Sequence, residues 1–189
     1  IKRAHPIIKK AGYRDFLYGH GYNWFFPTSA KKVLFLYRNP LDFLISWYYF
    51  KHKNRLGDKA LYTHPREVID YALPHYMGMY NAMRGIPKIS YEDLKRHTRT
   101  TFAFALGMLS VPIDHNKIDK AIEFSTLERV RKEEAKDDFP FPKLNITSRY
   151  RSGEIGEWKE YFNKTDKEYI EWVLNKNGIY LKEFQVSKE

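Results

Sequence analysis

Cysteine is missing altogether from this 189-residue chain. Disulfides and thiolate metal sites are therefore excluded, and a reducing, cytoplasmic setting is the expectation that follows. Long apolar runs are missing too: nothing approaches the ~20 consecutive residues that a membrane-spanning helix requires, and no secretory leader can be read. Repeats are absent and low-complexity stretches few. With 43% hydrophobic and 30% charged residues the composition is that of a folded domain and not of a disordered tail. No grouping of His and carboxylates has metal-ligand spacing, so no metal is expected. The chain also lacks an initiating Met. It begins Ile1-Lys2-Arg3, which reads like the interior of a domain, and a single domain over residues 1–189, incomplete on its N-terminal side, is the expected organisation.

Basic residues are plentiful. Lys and Arg number 33 against 23 Asp and Glu, a formal charge of +10. Such an excess favours an anionic partner (nucleotide, nucleic acid, membrane surface or acidic substrate) without choosing among them. Aromatics are also abundant, with 15 Tyr, 13 Phe and 4 Trp to build a core.

Lys32 to Tyr37 is a short continuous apolar run, the pattern of a strand buried on both faces of a parallel sheet. Asn39-Pro40-Leu41-Asp42 follows at once: a good N-cap, a proline for the first helical position and a first-turn carboxylate for the helix dipole. The spacing predicts a helix to about Lys53 with Leu41, Leu44, Ile45 and Tyr48 as its buried stripe. A second helix opens at Thr63-His64-Pro65, contains Pro74 and is broken at Gly85-Ile86-Pro87. Lys88 to Tyr91 reads as another short strand, with a helical stretch from Glu92 and an apolar face at Phe102, Ala105, Leu106 and Leu109. Asp114 caps a helix bearing Ile118, Ala121 and Ile122. Capping-box spacing occurs at Ser125 to Glu128 and at Thr165 to Glu168, the latter opening a last helix that ends at Gly178. Alternation of strand and helix predicts an α/β fold.

Three groupings carry chemistry. Arg38 stands at the carboxyl end of a predicted parallel strand, where open α/β sheets bind ligands, with Ser46 two turns into the next helix. A guanidinium and a hydroxyl there make a phosphate site, although spacing alone fits a well-capped helix as well. Arg151-Ser152-Gly153-Glu154-Ile155-Gly156-Glu157-Trp158-Lys159 is the second. Its two glycines let backbone approach a ligand, and its N–H groups are candidates for anionic oxygens. Ser90-Tyr91-Glu92-Asp93-Leu94, at a strand end, is the third.

In this order, R-N-P-x-D-x-x-x-S, Y-E-D-L and R-x-G-x-x-G-x-W-K resemble the cytosolic-type sulfotransferases that use 3′-phosphoadenosine 5′-phosphosulfate (PAPS) and release adenosine 3′,5′-bisphosphate (PAP). The likeness runs from about Ile1 to Phe162. It implies a P-loop-kinase-like parallel sheet sandwiched between helices. It further implies that Arg38 and Ser46 hold the 3′-phosphate, that Arg151, Ser152 and Gly153 close over it, and that Tyr91, Ser125 and Leu127 meet the adenine. Leu127 stands where the family has Phe, so stacking becomes apolar contact. Ser152 stands where it has Lys, so one charge partner of the phosphate is lost. His5, in Lys2-Arg3-Ala4-His5-Pro6, corresponds to the family's catalytic base with an offset of one residue; an imidazole suits proton uptake near neutrality. The family's P-K-S-G-T-T-W-like phosphosulfate turn is not among these residues: with it upstream the enzyme is ordinary for its family, and without it the chain would bind part of the nucleotide and transfer sulfonate poorly or not at all.

The resemblance implies sulfonate transfer to a hydroxyl or amine of a small-molecule or glycan acceptor, with no metal and no nucleic acid. Three alternatives stay open: a kinase of similar fold, which needs a Walker-type loop not found here; a nucleotide-binding module without transfer; and a basic nucleic-acid-binding domain. The region around Arg55 to Met83, including His64, His75, Tyr76 and Tyr80, has polar groups that suit a hydroxylated acceptor and suit packing equally.

Overall fold

A computed structural model describes residues 32–50, 62–135 and 152–184. His5 and Arg151 lie outside the described residues.

Strand β1 (Phe35–Tyr37) runs parallel to β2 (Lys88–Ser90), with Phe35, Leu36 and Tyr37 opposite Lys88, Ile89 and Ser90. Phe35 is buried as expected, but Leu36 is 49% exposed, so this strand alternates and is not buried on both faces. Helix α1 (Pro40–Tyr48) follows β1 directly. Asn39 caps it, its Oδ1 accepting the Leu41 N–H at 2.9 Å, and Leu41, Leu44, Ile45 and Tyr48 are all buried in the predicted stripe. The predicted continuation toward Lys53 falls outside the described residues.

His64 caps the next element through Nδ1, which accepts the Arg66 N–H at 3.1 Å. A 3₁₀ turn (Pro65–Val68) then leads into α2 (Ile69–Ala82), which carries Pro74 inside it. Gly85, at φ +82°, turns the chain back into β2. A strand, two helices and a parallel strand form one crossover unit, so the fold is α/β with a small parallel sheet among many helices. Tyr76 and Tyr80 are core residues of α2: their rings pack at 5.9 Å, and Tyr80 meets Phe184 at 5.6 Å.

Helices α3 (Tyr91–Arg96), α4 (Thr98–Met108), α5 (His115–Phe124) and α6 (Leu127–Glu134) follow. Asp114 caps α5 as expected, accepting the Lys117 N–H at 3.1 Å, although of its predicted apolar face Ala121 is exposed. The capping box read at Ser125 does not form. Ser125 closes α5 by donating to the Ile122 carbonyl, and Thr126 precedes α6 with no side-chain cap.

The last helix, α7 (Lys164–Lys176), has its cap two residues before the predicted box. Asn163 is its cap: it accepts the Asp166 N–H at 2.9 Å while Asp166 accepts the Asn163 N–H at 3.0 Å. Asn is the stronger N-cap of the two candidates, and Asp166 is held as well by Arg66 at 2.7 Å. Ile170 and Leu174 are fully buried, each contributing about 1.5–3 kcal/mol by area. The C-terminus is a Schellman turn: Ile179 N–H bonds Leu174 O at 3.1 Å and Gly178 N–H bonds Asn175 O at 3.0 Å, with Gly178 at φ +65°.

Candidate functional site

Arg38 follows the last residue of β1, where the strand gives way to the cap of α1. The buried hydroxyl of Tyr76, from α2, donates to the Arg38 carbonyl at 2.8 Å and fixes the backbone there. The guanidinium reaches sideways. Its Nη2 donates to the Glu154 carbonyl at 2.5 Å, its Cζ lies 4.6 Å from the centre of the Tyr91 ring, and its Nε is buried with no partner. Tyr91 opens α3, and its hydroxyl donates to the Gly153 carbonyl at 2.7 Å. Burial raises the pKa of that phenol, and the Arg38 charge opposes the rise.

Two buried carboxylates organise the backbone around Arg38. Asp42 is 1% exposed and takes two loop amides, Gly156 N–H at 2.7 Å on Oδ2 and Trp158 N–H at 3.1 Å on Oδ1. Glu92, equally buried, accepts the Asn39 N–H at 3.0 Å on Oε1, while its Oε2 has no partner. The amides of Gly156 and Trp158, expected to face an anion, are thus directed at Asp42. The Glu154 N–H goes to Ser152 Oγ at 3.3 Å.

The loop is shaped for close approach. Gly153 has φ +67°, and a Cβ there would sit 3.1 Å from the Tyr91 hydroxyl oxygen. Ser152 donates its hydroxyl to Glu157 at 2.9 Å. Of the residues singled out by sequence, Arg38, Tyr91, Ser152 and Gly153 are brought together. Ser46 is exposed on α1, one turn beyond Asp42. Ser125 is occupied within its own turn, and Leu127 lines an open concavity on α6 with Glu128, Arg131, Lys132 and Ala135; neither shares a hydrogen bond with the Arg38 group. Asp42 and Glu92 were not foreseen in these roles. Asp42 carried a signal, since it sits beside Leu41 on the helix face that buries itself. Glu92 carried none.

The sequence model of the sulfotransferase domain matches residues 23–178. The chain belongs to the sulfotransferase family. Its sulfotransferase relatives include sulfotransferase 2A6 of Rattus norvegicus, 26% identical over 89% of this chain and 65% of that protein. Cytosolic sulfotransferase 10 of Arabidopsis thaliana is 23% identical over 76% of this chain and 48% of that protein. Among solved structures, mouse sulfotransferase SULT7A1 complexed with PAP superposes with a TM-score of 0.61 at 16% identity, over 81% of this chain and 62% of that one. Retinol dehydratase in complex with androsterone and PAP gives 0.60 at 17% identity, over 83% and 49%. These likenesses establish the sulfotransferase fold. The chain spans about half to two thirds of the length of these proteins. Among the described residues, no helix is long and apolar enough to cross a membrane and no group of His, Asp and Glu is placed to hold a metal.

Proposed function

We propose that the protein is a PAPS-dependent sulfotransferase acting on a hydroxyl or amine of a small-molecule or glycan acceptor. The observation that carries this reading is Arg38: a guanidinium at the carboxyl end of a parallel strand, with a buried, unpartnered Nε and a glycine loop drawn against it. A buried donor without an acceptor costs about 1–3 kcal/mol, and an anionic oxygen would relieve it. The residues present therefore fit the 3′-phosphate end of PAP.

In this reading Arg38 and Ser46 bind the 3′-phosphate from below, and Arg151, Ser152 and Gly153 cover it. Tyr91, Ser125 and Leu127 bound the adenine. PAPS supplies the sulfonate group. His5 takes the acceptor's proton as the acceptor oxygen or nitrogen bonds to sulfur and the bond from sulfur to the phosphate oxygen breaks. Fixed cations then meet the charge left on that oxygen, and positioning and electrostatics provide most of the rate, as in phosphoryl transfer. The domain is read as running through residues 1–189. The cytoplasmic assignment rests on the lack of cysteine and on a relative named as cytosolic.

The nucleotide test is thermal. PAP is expected to raise the melting temperature well above the shift given by AMP, because only the folded state binds. Equal shifts would remove the 3′-phosphate assignment. With a known acceptor, His5→Ala is expected to lower turnover by ~10²–10⁴ and leave PAP affinity nearly intact. Turnover within a few-fold of the parent would remove His5 from the mechanism.

A further inference from the structure

Tyr91 and Lys95 stand four residues apart on α3 and so share a face of that helix. The Tyr91 hydroxyl bonds the Gly153 carbonyl, and the Lys95 Nζ lies on the same spot: it is 3.6 Å from the position a Cβ on Gly153 would occupy. Arg38 lies over the Tyr91 ring, 4.6 Å from its centre. The junction of α3 with the glycine loop is therefore flanked by two cations, Arg38 and Lys95. The carboxylates nearest the loop in hydrogen-bond terms are already committed, Asp42 to two amides and Glu157 to Ser152. Glu154 and Glu92 also act electrostatically on Tyr91, but Lys95 is exposed and its amine enters no hydrogen bond or ion pair with them among the described residues.

We infer that Lys95 is a phosphate-binding residue of this site, supplying from α3 the flexible cation that the loop itself lacks at Ser152. The inference rests on the nucleotide reading above. A lysine amine is a compact point charge on a long stem, able to reach a phosphate bound beside the junction of Tyr91 with Gly153. Competing with it is a plainer role. Lys95 and Arg96 occupy the last turn of α3, where cations favour the helix dipole, and that role affects stability alone.

Arg96 provides an internal control, because it is exposed and shares the last turn of α3 with Lys95. The experiment is calorimetric titration of PAP, adenosine 3′-monophosphate and AMP into the parent protein and into Lys95→Gln, Lys95→Arg and Arg96→Gln. Lys95→Gln is expected to weaken PAP and the 3′-monophosphate about tenfold, the loss of one exposed charge-assisted contact, and to leave AMP within about twofold. Its PAP affinity should also depend less steeply on salt. Lys95→Arg should stay within about threefold of the parent, and Arg96→Gln should leave the preference for a 3′-phosphate unchanged.

Parental affinity in Lys95→Gln would overturn the inference. So would equal losses for all three nucleotides, or the same loss in Arg96→Gln, since either describes the general field of the region. If the parent itself binds PAP no better than AMP, the nucleotide reading falls and Lys95 falls with it. A parent that discriminates while Lys95→Gln is silent would sink Lys95 alone.

Discussion

The guanidinium of Arg38 lies over the ring of Tyr91, and the two side chains donate to neighbouring carbonyls of one loop, Glu154 and Gly153. The carbonyl edge of the loop is held from that side and its amide edge from the other, by Asp42. The backbone over the site is thus pinned by side chains from α1, α3 and the end of β1.

Arg38→Ala removes the bond to Glu154, the contact with Tyr91 and the proposed phosphate partner together. PAP binding should weaken by roughly 1.5–3 kcal/mol, with Ser46→Ala costing less. Titration calorimetry measures both. An Arg38→Ala protein that binds PAP like the parent would reduce the first motif to a helix cap.

Asp42→Asn separates two ideas of opposite sign. If Asp42 mattered only as a negative charge beside an anion site, removing the charge would tighten PAP binding. If it positions the loop, the amide replacement keeps one acceptor, sets an NH₂ against the other loop amide, and loosens the site. Binding is expected to weaken by about fivefold to tenfold, about one net hydrogen bond. Hydrogen exchange should quicken at Gly156 and Trp158 without ligand. Unchanged protection at both amides would end the positioning role.

Gly153→Ala meets two obstacles, a positive φ and the Tyr91 hydroxyl 3.1 Å from the new methyl. The φ penalty is about 1–2 kcal/mol. Tyr91→Phe removes the obstructing oxygen, so the two substitutions should be less than additive in thermal or urea denaturation. Strict additivity would place the strain in φ alone.

Alkaline stability reports on Tyr76. Burial is the main cause that raises its pKa well above 10.0, with the Tyr80 and Glu92 charges adding to it. A phenol that resists ionisation when folded contributes fully below its unfolded pKa near 10, and that contribution is lost as pH rises past it. The urea midpoint should therefore fall steeply above pH 10. Tyr76→Phe should lower stability by about 1 kcal/mol at neutral pH, through the lost bond to Arg38, and make the alkaline fall shallower. An unchanged alkaline slope in Tyr76→Phe would assign the fall to the other tyrosines.

The junction of β1 and α1 was legible because its information is local. Asn39, Pro40 and the stripe from Leu41 to Tyr48 declare cap, start and buried face within ten residues, and all of them behave so. Other elements show where local pattern fails. Capping-box spacing opens the last helix at Thr165, but Asn163 caps it with Asp166, which Arg66 holds from 100 residues away. The loop amides appeared available for an anion, because nothing near them in sequence names Asp42 as their acceptor. The partners of each lie outside any window over which periodicity or capping can be read.

The tie between Asp42 and Gly156 closes a span of 114 residues, about twice the 53 that separate Asn39 from Glu92. Doubling a closed span adds only about 0.6 kcal/mol of chain entropy, so the longer tie is thermodynamically inexpensive. Kinetically it is a distant encounter. The crossover from β1 to β2 has its contacts within reach early, whereas the loop can dock only after the α3 to α6 region has been traversed and brought back. In refolding, Tyr and Trp fluorescence from the α1 and α2 core should recover before competence to bind nucleotide, and truncation after α6 should leave a chain that collapses without acquiring the site.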